Sequence, residues 1–164
     1  MPKLTQVKET KRGRYALFFD GEFAFSLDED TFAMAGLHTG DELEEWQIHD
    51  LQTKSDTRKA VDKAMDLLAL RDHAAGELYQ KLCRSFDPHS AAAAVAKMQE
   101  LNLLDDAGFA RRRAAELLRK RKSRRAILDD LHAKGIDRGA AAEAVEALFA
   151  QSEEDEEENP ELAN

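Results

Sequence analysis

Residues 68–82, "LALRDHAAGELYQKL", return 49 positions later as residues 117–131, "LLRKRKSRRAILDDL". Leu68 falls on Leu117, Leu78 on Ile127 and Leu82 on Leu131, so the apolar positions coincide at helical spacing. A one-residue shift then aligns "FDPHSAAAAVAKM" (86–98) with "IDRGAAAEAVEAL" (136–148). Asp87 and Asp137 take the same N-cap position, and Val95 and Met98 match Val145 and Leu148. This is the signature of a duplicated three-helix unit. It predicts helices over about 57–72, 74–85 and 89–101, and again over about 107–121, 124–134 and 138–150. Units of this kind bury their apolar stripes against one another, so an extended, slightly curved module is expected.

Outward from the repeat, the N-terminal residues follow a different period. In "RYALFFDGEFAFSL" (14–27), Asp20-Gly21 separates two segments rich in aromatics, a strong hairpin signal. "KLTQVKETK" (3–11) supplies a first strand, which gives a small three-stranded element rather than an isolated hairpin. "DEDTFAMAGLHTGDEL" (28–43) reads as a short helix capped by Asp28 and stopped by Gly36, and "LEEWQIHDLQ" opens the helical part. The expected organisation is a β extension with short helices over 1–54, one repeat over 55–105, a second over 106–150 and a disordered acidic tail over 151–164. The fold class is mostly α. Aromatics form only 7% of the chain, which favours Ala- and Leu-rich helix packing. A single cysteine, Cys83, excludes an internal disulfide and reads as a buried thiol. Neither a secretory h-region nor an apolar run of about 18 residues occurs, so a cytoplasmic protein is expected.

Several stretches carry a resemblance in their order and spacing. "LLALRDHAAGELYQKL" joins an Arg-x-His helix end to a Glu-Leu-x-x-x-Leu helix, "MQELNLLDDAGFARR" follows one helix later, and the second unit adds "ILDDLHAKGIDRGAAAEAV". This succession resembles the RecX family, regulators of the bacterial recombinase RecA, and the β segment looks like the extension some members carry. Three departures stand out: members usually have three repeats and this chain has two, Ala74 replaces a frequent Ser, and "RKRKSRR" lacks a common Gly. The resemblance implies a non-enzymatic regulator that binds RecA or the groove of the RecA–DNA filament. It would limit ATP hydrolysis, strand exchange and coprotease action, with consequences for DNA repair, recombination and the SOS response. The alternatives are a helical module that binds nucleic acid directly and an adaptor for some other protein.

The residues themselves indicate where a partner would sit. The net charge is -9, yet residues 151–164 hold seven acids and no base, leaving 26 acids against 24 bases in 1–150. "FARRRAAELLRKRKSRR" (109–125) gathers nine bases and one acid, whereas its counterpart in the first repeat, residues 60–76, has two bases and three acids. The fold therefore does not demand this basicity. Arg124 and Arg125 also fall in the first turn of a helix, where the macrodipole disfavours cations. Arg111, Arg112, Arg119, Lys122, Arg124 and Arg125 are the predicted contacts to the filament or to DNA. The acidic tail has two readings, a solubilising segment or a strand that screens the basic face.

Other chemistry is not indicated. Asp105-Asp106 reads as capping rather than metal binding, and the five histidines show no ligand spacing. Phosphate-cradling glycine loops and nucleophile signatures are absent, so no catalytic residue, cofactor or metal is expected. Trp46, Phe109 and Tyr79 read as core or helix-staple residues rather than base-stacking platforms. A monomer is expected.

Overall fold

A computed structural model describes residues 1–158. Its elements run β1 (Leu4–Glu9), β2 (Tyr15–Phe19), β3 (Glu22–Leu27), α1 (Glu29–Ala35), α2 (Glu45–Leu70), α3 (Ala75–Leu82), α4 (Pro88–Glu100), α5 (Asp106–Arg119), α6 (Arg124–Ala133) and α7 (Arg138–Glu158). The protein is mostly helical with one small antiparallel sheet, as the periodicities predict. The described residues divide into two compact units: a sheet unit of residues 1–63 and 86–94, and a helical unit of residues 64–85 and 95–158. No helix among the described residues is long and apolar enough to cross a membrane.

In the sheet unit the strands pair in the order β1-β2-β3. Asp20 and Gly21 both take positive φ, 52° and 84°, the backbone of a tight hairpin turn whose twist matches the strands. Leu4, Leu17, Phe19, Phe25 and Leu27 form the core face, closed by Leu43 and Leu51. The Asp28 side chain caps α1 by accepting from the Thr31 N–H at 3.1 Å, and Gly36 ends it in the left-handed region.

The second helix departs from expectation. α2 begins at Glu45 and passes Ser55 without interruption, so the boundary expected between residues 54 and 55 lies inside a helix. Ser55 reads as a helix start only if its hydroxyl caps its own helix. Instead it is buried, donates to the Ser26 carbonyl and accepts from Arg14 Nη2 at 3.0 Å. Its partners lie 29 and 41 residues away. Trp46 also differs: it is 65% exposed, with its Nε1–H donating to Glu44, and belongs to no core.

The helical unit is held by an apolar cluster of Ala74, Phe109, Ala110, Ala114, Leu117, Ile127, Leu131, Ile136, Ala141, Ala144 and Val145. α5, α6 and α7 pack on one another through it. The methyl-sized side chains along α5 and α7 let the backbones approach closely. The tightest approach joins α3 to the turn after α6, where a Cβ added at Gly76 would meet Gly135 Cα at 2.8 Å. Gly135 itself has φ +88°, so both positions require glycine. The two repeat caps form as read, with Asp87 accepting from the Ser90 N–H in the sheet unit and Asp137 from the Ala140 N–H in the helical unit. Cys83 is half-buried rather than buried.

The acidic segment is partly helical where disorder was expected. α7 does not stop at Ala150 but runs to Glu158. Glutamate is a good helix former, and no Gly or Pro interrupts the sequence before Pro160. The expectation for residues 159–164 lies outside the described residues.

Candidate functional site: the basic face of the helical unit

The basic segment is built on α5, the turn after it and the start of α6. On α5, Phe109, Ala110, Ala114 and Leu117 face the core, which leaves Arg111, Arg112 and Arg119 in solvent. Asp105 caps α5 through the Gly108 N–H at 3.0 Å. Asp106 serves a different helix. Its carboxylate accepts from the Ala75 N–H at 2.8 Å, so it caps α3 at the point where Ala74 has no side chain to do so. The adjacent carboxylates are two caps. Among the described residues, no group of three or more His, Cys, Asp or Glu side chains is placed to hold a metal ion.

Two anchored ion networks lie behind the exposed cations. Arg71 meets the buried Glu77 through two bonds of 3.0 Å, and Lys134 adds a third at 3.2 Å. Burial alone would push the Glu77 carboxyl up, but the hydrogen bonds from Arg71 and Lys134 hold it below the usual carboxylate range. Next to Arg71, burial pushes the His73 imidazole below its ordinary value; its Nδ1 lies 2.9 Å from the Arg71 carbonyl and its Nε2 3.0 Å from Lys81 Nζ. The second network is Arg113 with Asp130, bidentate at 2.9 and 3.1 Å, with Glu116 at 3.3 Å. The Arg113 hydrogen bonds draw the Asp130 carboxyl down.

These networks back a groove of about 710 Å³. Arg71, Arg112, Arg113, Arg119 and Lys134 line it against only Asp72 and Glu116, with Phe109 and Ala115 between them. Arg71, Arg113 and Lys134 are spent on Glu77 and Asp130, and Arg112 reaches Asp72 at 3.3 Å across an exposed pair. Arg119 has no carboxylate partner among the described residues. It supplies the groove's surplus positive charge.

The nine bases of 109–125 therefore separate by their partners. Arg113 is structural. Arg124 pairs with Glu146 and lies 4.9 Å over the Phe149 ring, which offsets its unfavourable place in the first turn of α6. Lys120 bonds Glu116 at 3.4 Å, and Arg125 approaches Asp129 only at 3.9 Å with both side chains almost fully exposed. Arg111, Arg119, Arg121 and Lys122 are exposed and without a carboxylate partner among the described residues. Of the six predicted contacts, then, Arg111, Arg119 and Lys122 present unneutralised charge, Arg112 and Arg125 are loosely paired, and Arg124 is held by the fold.

The residue missing from that prediction is Arg121. It closes α5 with φ +62°, its N–H donating to the Leu118 carbonyl at 2.8 Å while the Lys122 N–H reaches back to Leu117 at 3.0 Å. This is a six-to-one helix closure whose left-handed residue is usually Gly or Asn. Within the same unit, Asn102 closes α4 and Gly135 closes α6 with the same bonding. An arginine here costs on the order of 1 kcal/mol relative to glycine. The sequence signal was the Gly absent from "RKRKSRR".

No family model matches the chain. Among curated proteins, it is similar to a regulatory protein RecX of Caldanaerobacter subterraneus subsp. tengcongensis, 27% identical over 149 residues that cover 90% of this chain and 76% of that protein. RecX of Lactobacillus johnsonii is 34% identical, covering 83% of this chain and 51% of its own. RecX of Bacillus subtilis is 27% identical, covering 90% and 58%. The chain thus spans three quarters of the first relative and little more than half of the other two. A crystal structure of a regulatory protein RecX shares the fold with a TM-score of 0.66 over 90% of this chain and 74% of the other, at 24% identity. The repeat pattern, the sheet extension and these similarities agree along most of the chain's length in likening it to the RecX regulatory proteins.

Proposed function

We propose that the chain regulates RecA by binding the recombinase or the RecA–DNA filament, acting by occupancy rather than by chemistry. In this reading two three-helix repeats form an array that prefers the filament to its free subunits. A ligand that binds one state better shifts the equilibrium toward it and requires no reaction. Filament growth, ATP hydrolysis, strand exchange and coprotease action would all be restrained in the cytoplasm, where RecA and DNA meet. The observation that carries the site assignment is the set of unneutralised cations along α5 and the turn after it. Arg111, Arg119, Arg121 and Lys122 form its centre, with Arg112 and Arg125 at its margin and Arg124 contributing least.

The test uses purified RecA on single-stranded DNA. At stoichiometric ratios the protein should lower the DNA-dependent ATPase rate and shorten filaments seen by electron microscopy. Unchanged rate and length would reject the reading. A second reading, direct binding of nucleic acid without RecA, is favoured by the same cations. Neutralising about four phosphates of a single strand would make log K fall with log salt at a slope near -3, and a contact made chiefly to protein would be much shallower.

A further inference from the structure

The sheet unit carries free cations of its own. Residues 1–14 hold five bases, Lys3, Lys8, Lys11, Arg12 and Arg14, against one acid, Glu9, and four of the five gather on the β1–β2 hairpin. The loop of this hairpin is closely determined by its backbone. The Thr10 N–H donates to the Arg14 carbonyl at 2.7 Å, the Gly13 N–H to the Thr10 carbonyl at 3.1 Å, and the Arg14 N–H to Thr10 Oγ1 at 3.2 Å. Gly13 has φ +74°, the left-handed residue that closes a three-residue hairpin loop. Lys11 and Arg12 are thereby held at the tip, where both are exposed.

Arg14 fixes the hairpin and leaves its own charge unspent. Its Nε donates to Ser26 Oγ and its Nη2 to the Ser26 carbonyl and Ser55 Oγ, each at 3.0 Å, which ties the loop to β3 and α2. All three acceptors are neutral, so a half-buried positive charge remains at the base of the loop. Lys8, Lys11 and Arg12 are exposed and, like Arg14, have no carboxylate partner among the described residues. Glu9 pairs with no base there, and strand alternation turns it to the face opposite Lys8. The backbone N–H groups of Lys11 and Arg12 also donate to no other group among the described residues.

We propose that the β1–β2 hairpin is a sequence-independent contact to the phosphate backbone of a nucleic acid, made by Lys8, Lys11 and Arg12 with the Arg14 charge behind them. What the tip lacks selects this partner: no apolar side chain stands between Lys8 and Arg14. Protein interfaces rest on buried aromatic or aliphatic anchors, and docking on a membrane surface needs an apolar face to bury. A phosphodiester backbone asks only for cations and N–H donors. The contact goes beyond the reading of the basic face, since it uses different residues in a different unit and holds whether or not that face binds.

The test titrates the full chain against a labelled oligothymidylate by fluorescence anisotropy over a salt series. Lys8→Gln, Lys11→Gln and Arg12→Gln combined should weaken low-salt binding at least about tenfold and flatten the slope of log K against log salt by about 2. The circular dichroism spectrum and melting temperature should not move, because the three side chains lie outside the core. The same three substitutions should also remove most of the binding left after Arg111, Arg119, Arg121 and Lys122 are replaced by Glu. Affinity and slope unchanged in the hairpin variant, or no binding by the parent chain, overturns the proposal. Loss in the hairpin variant with parental binding in the α5 variant would reject the basic face and leave the hairpin contact standing. Polyglutamate that displaces the oligonucleotide at equal charge, or hairpin-dependent binding to phosphatidylglycerol vesicles tighter than to the oligonucleotide, overturns it in favour of an acidic protein or a membrane.

Discussion

Residues 15–53 and residues 109–125 are opposites in charge: ten acids without a base in one, nine bases with a single acid in the other. Each is assembled over an ordinary apolar core, Leu17, Phe19, Leu27, Leu43 and Leu51 in the first case and Phe109, Ala114, Leu117, Ile127 and Leu131 in the second. The helical core does not call for so strong a surplus of bases, because the stretch of the first repeat that matches 109–125 has two bases and three acids. A formal net charge of -9 therefore describes neither region. What the contrast teaches is that sign is distributed by surface, and that within one surface the fold consumes some charges in ion pairs and leaves others free.

The strongest way to break the contrast is to invert the basic region. Replacing Arg111, Arg119, Arg121 and Lys122 together by Glu should reduce binding to a single-stranded oligonucleotide or to RecA filaments by at least about 100-fold at low salt, read by fluorescence anisotropy. The melting temperature should stay within a few degrees of the parent, since none of the four supports the core. Retained binding would mean that the cations held by the fold, rather than the free ones, make the contact.

Next in size is the test that separates structural from free cations. Glu77→Ala leaves Arg71 and Lys134 facing each other without their shared carboxylate, and should cost about 2–3 kcal/mol, or roughly 4–10 °C in melting temperature. Anion binding should fall little, because the freed cations stay beside the groove. The same network sets an acid limit. His73, Glu77 and Asp130 all release protons more readily in the folded chain than in the unfolded one. Their contribution is complete above the unfolded values, about 6.5 for His and near 4 for the carboxyls, and is lost as pH falls through that range toward the lower folded values. Urea titrations from pH 7 to 3 should show a shallow loss and then a steep one, with the steep limb reduced in Glu77→Gln.

Arg121→Gly sharpens the comparison at a single position. Relaxing the left-handed residue should raise stability by about 0.5–1 kcal/mol while lowering oligonucleotide affinity and reducing the salt slope by about one. A gain in stability with unchanged binding would remove Arg121 from the site. The smallest effect is expected from Arg125→Gln. Its pair with Asp129 is exposed on both sides, so stability should move by less than about 0.5 kcal/mol.

The sequence alone determined whatever depends on neighbours a few residues apart. Asp20-Gly21 specified the hairpin, Asp28, Asp87 and Asp137 the helix starts, and Gly36 a helix end. The 49-residue echo in the sequence supplied the contrast that marked 109–125 as more basic than its counterpart. Tertiary structure decided everything set by a partner far along the chain. Ser55 satisfies Ser26 and Arg14 instead of starting a helix, and Asp106 caps α3 from 31 residues away. Arg113 is consumed by Asp130, 17 residues on, and Arg124 by Glu146, 22 residues on, so two of nine similar bases are held in pairs by the fold. Trp46 fits a helical apolar pattern but stands in solvent, its indole N–H satisfied by Glu44 two residues away. Helix period and capping are local free energies and can be read from composition. Which charge stays unpaired is a property of distances that exist only once the chain has folded.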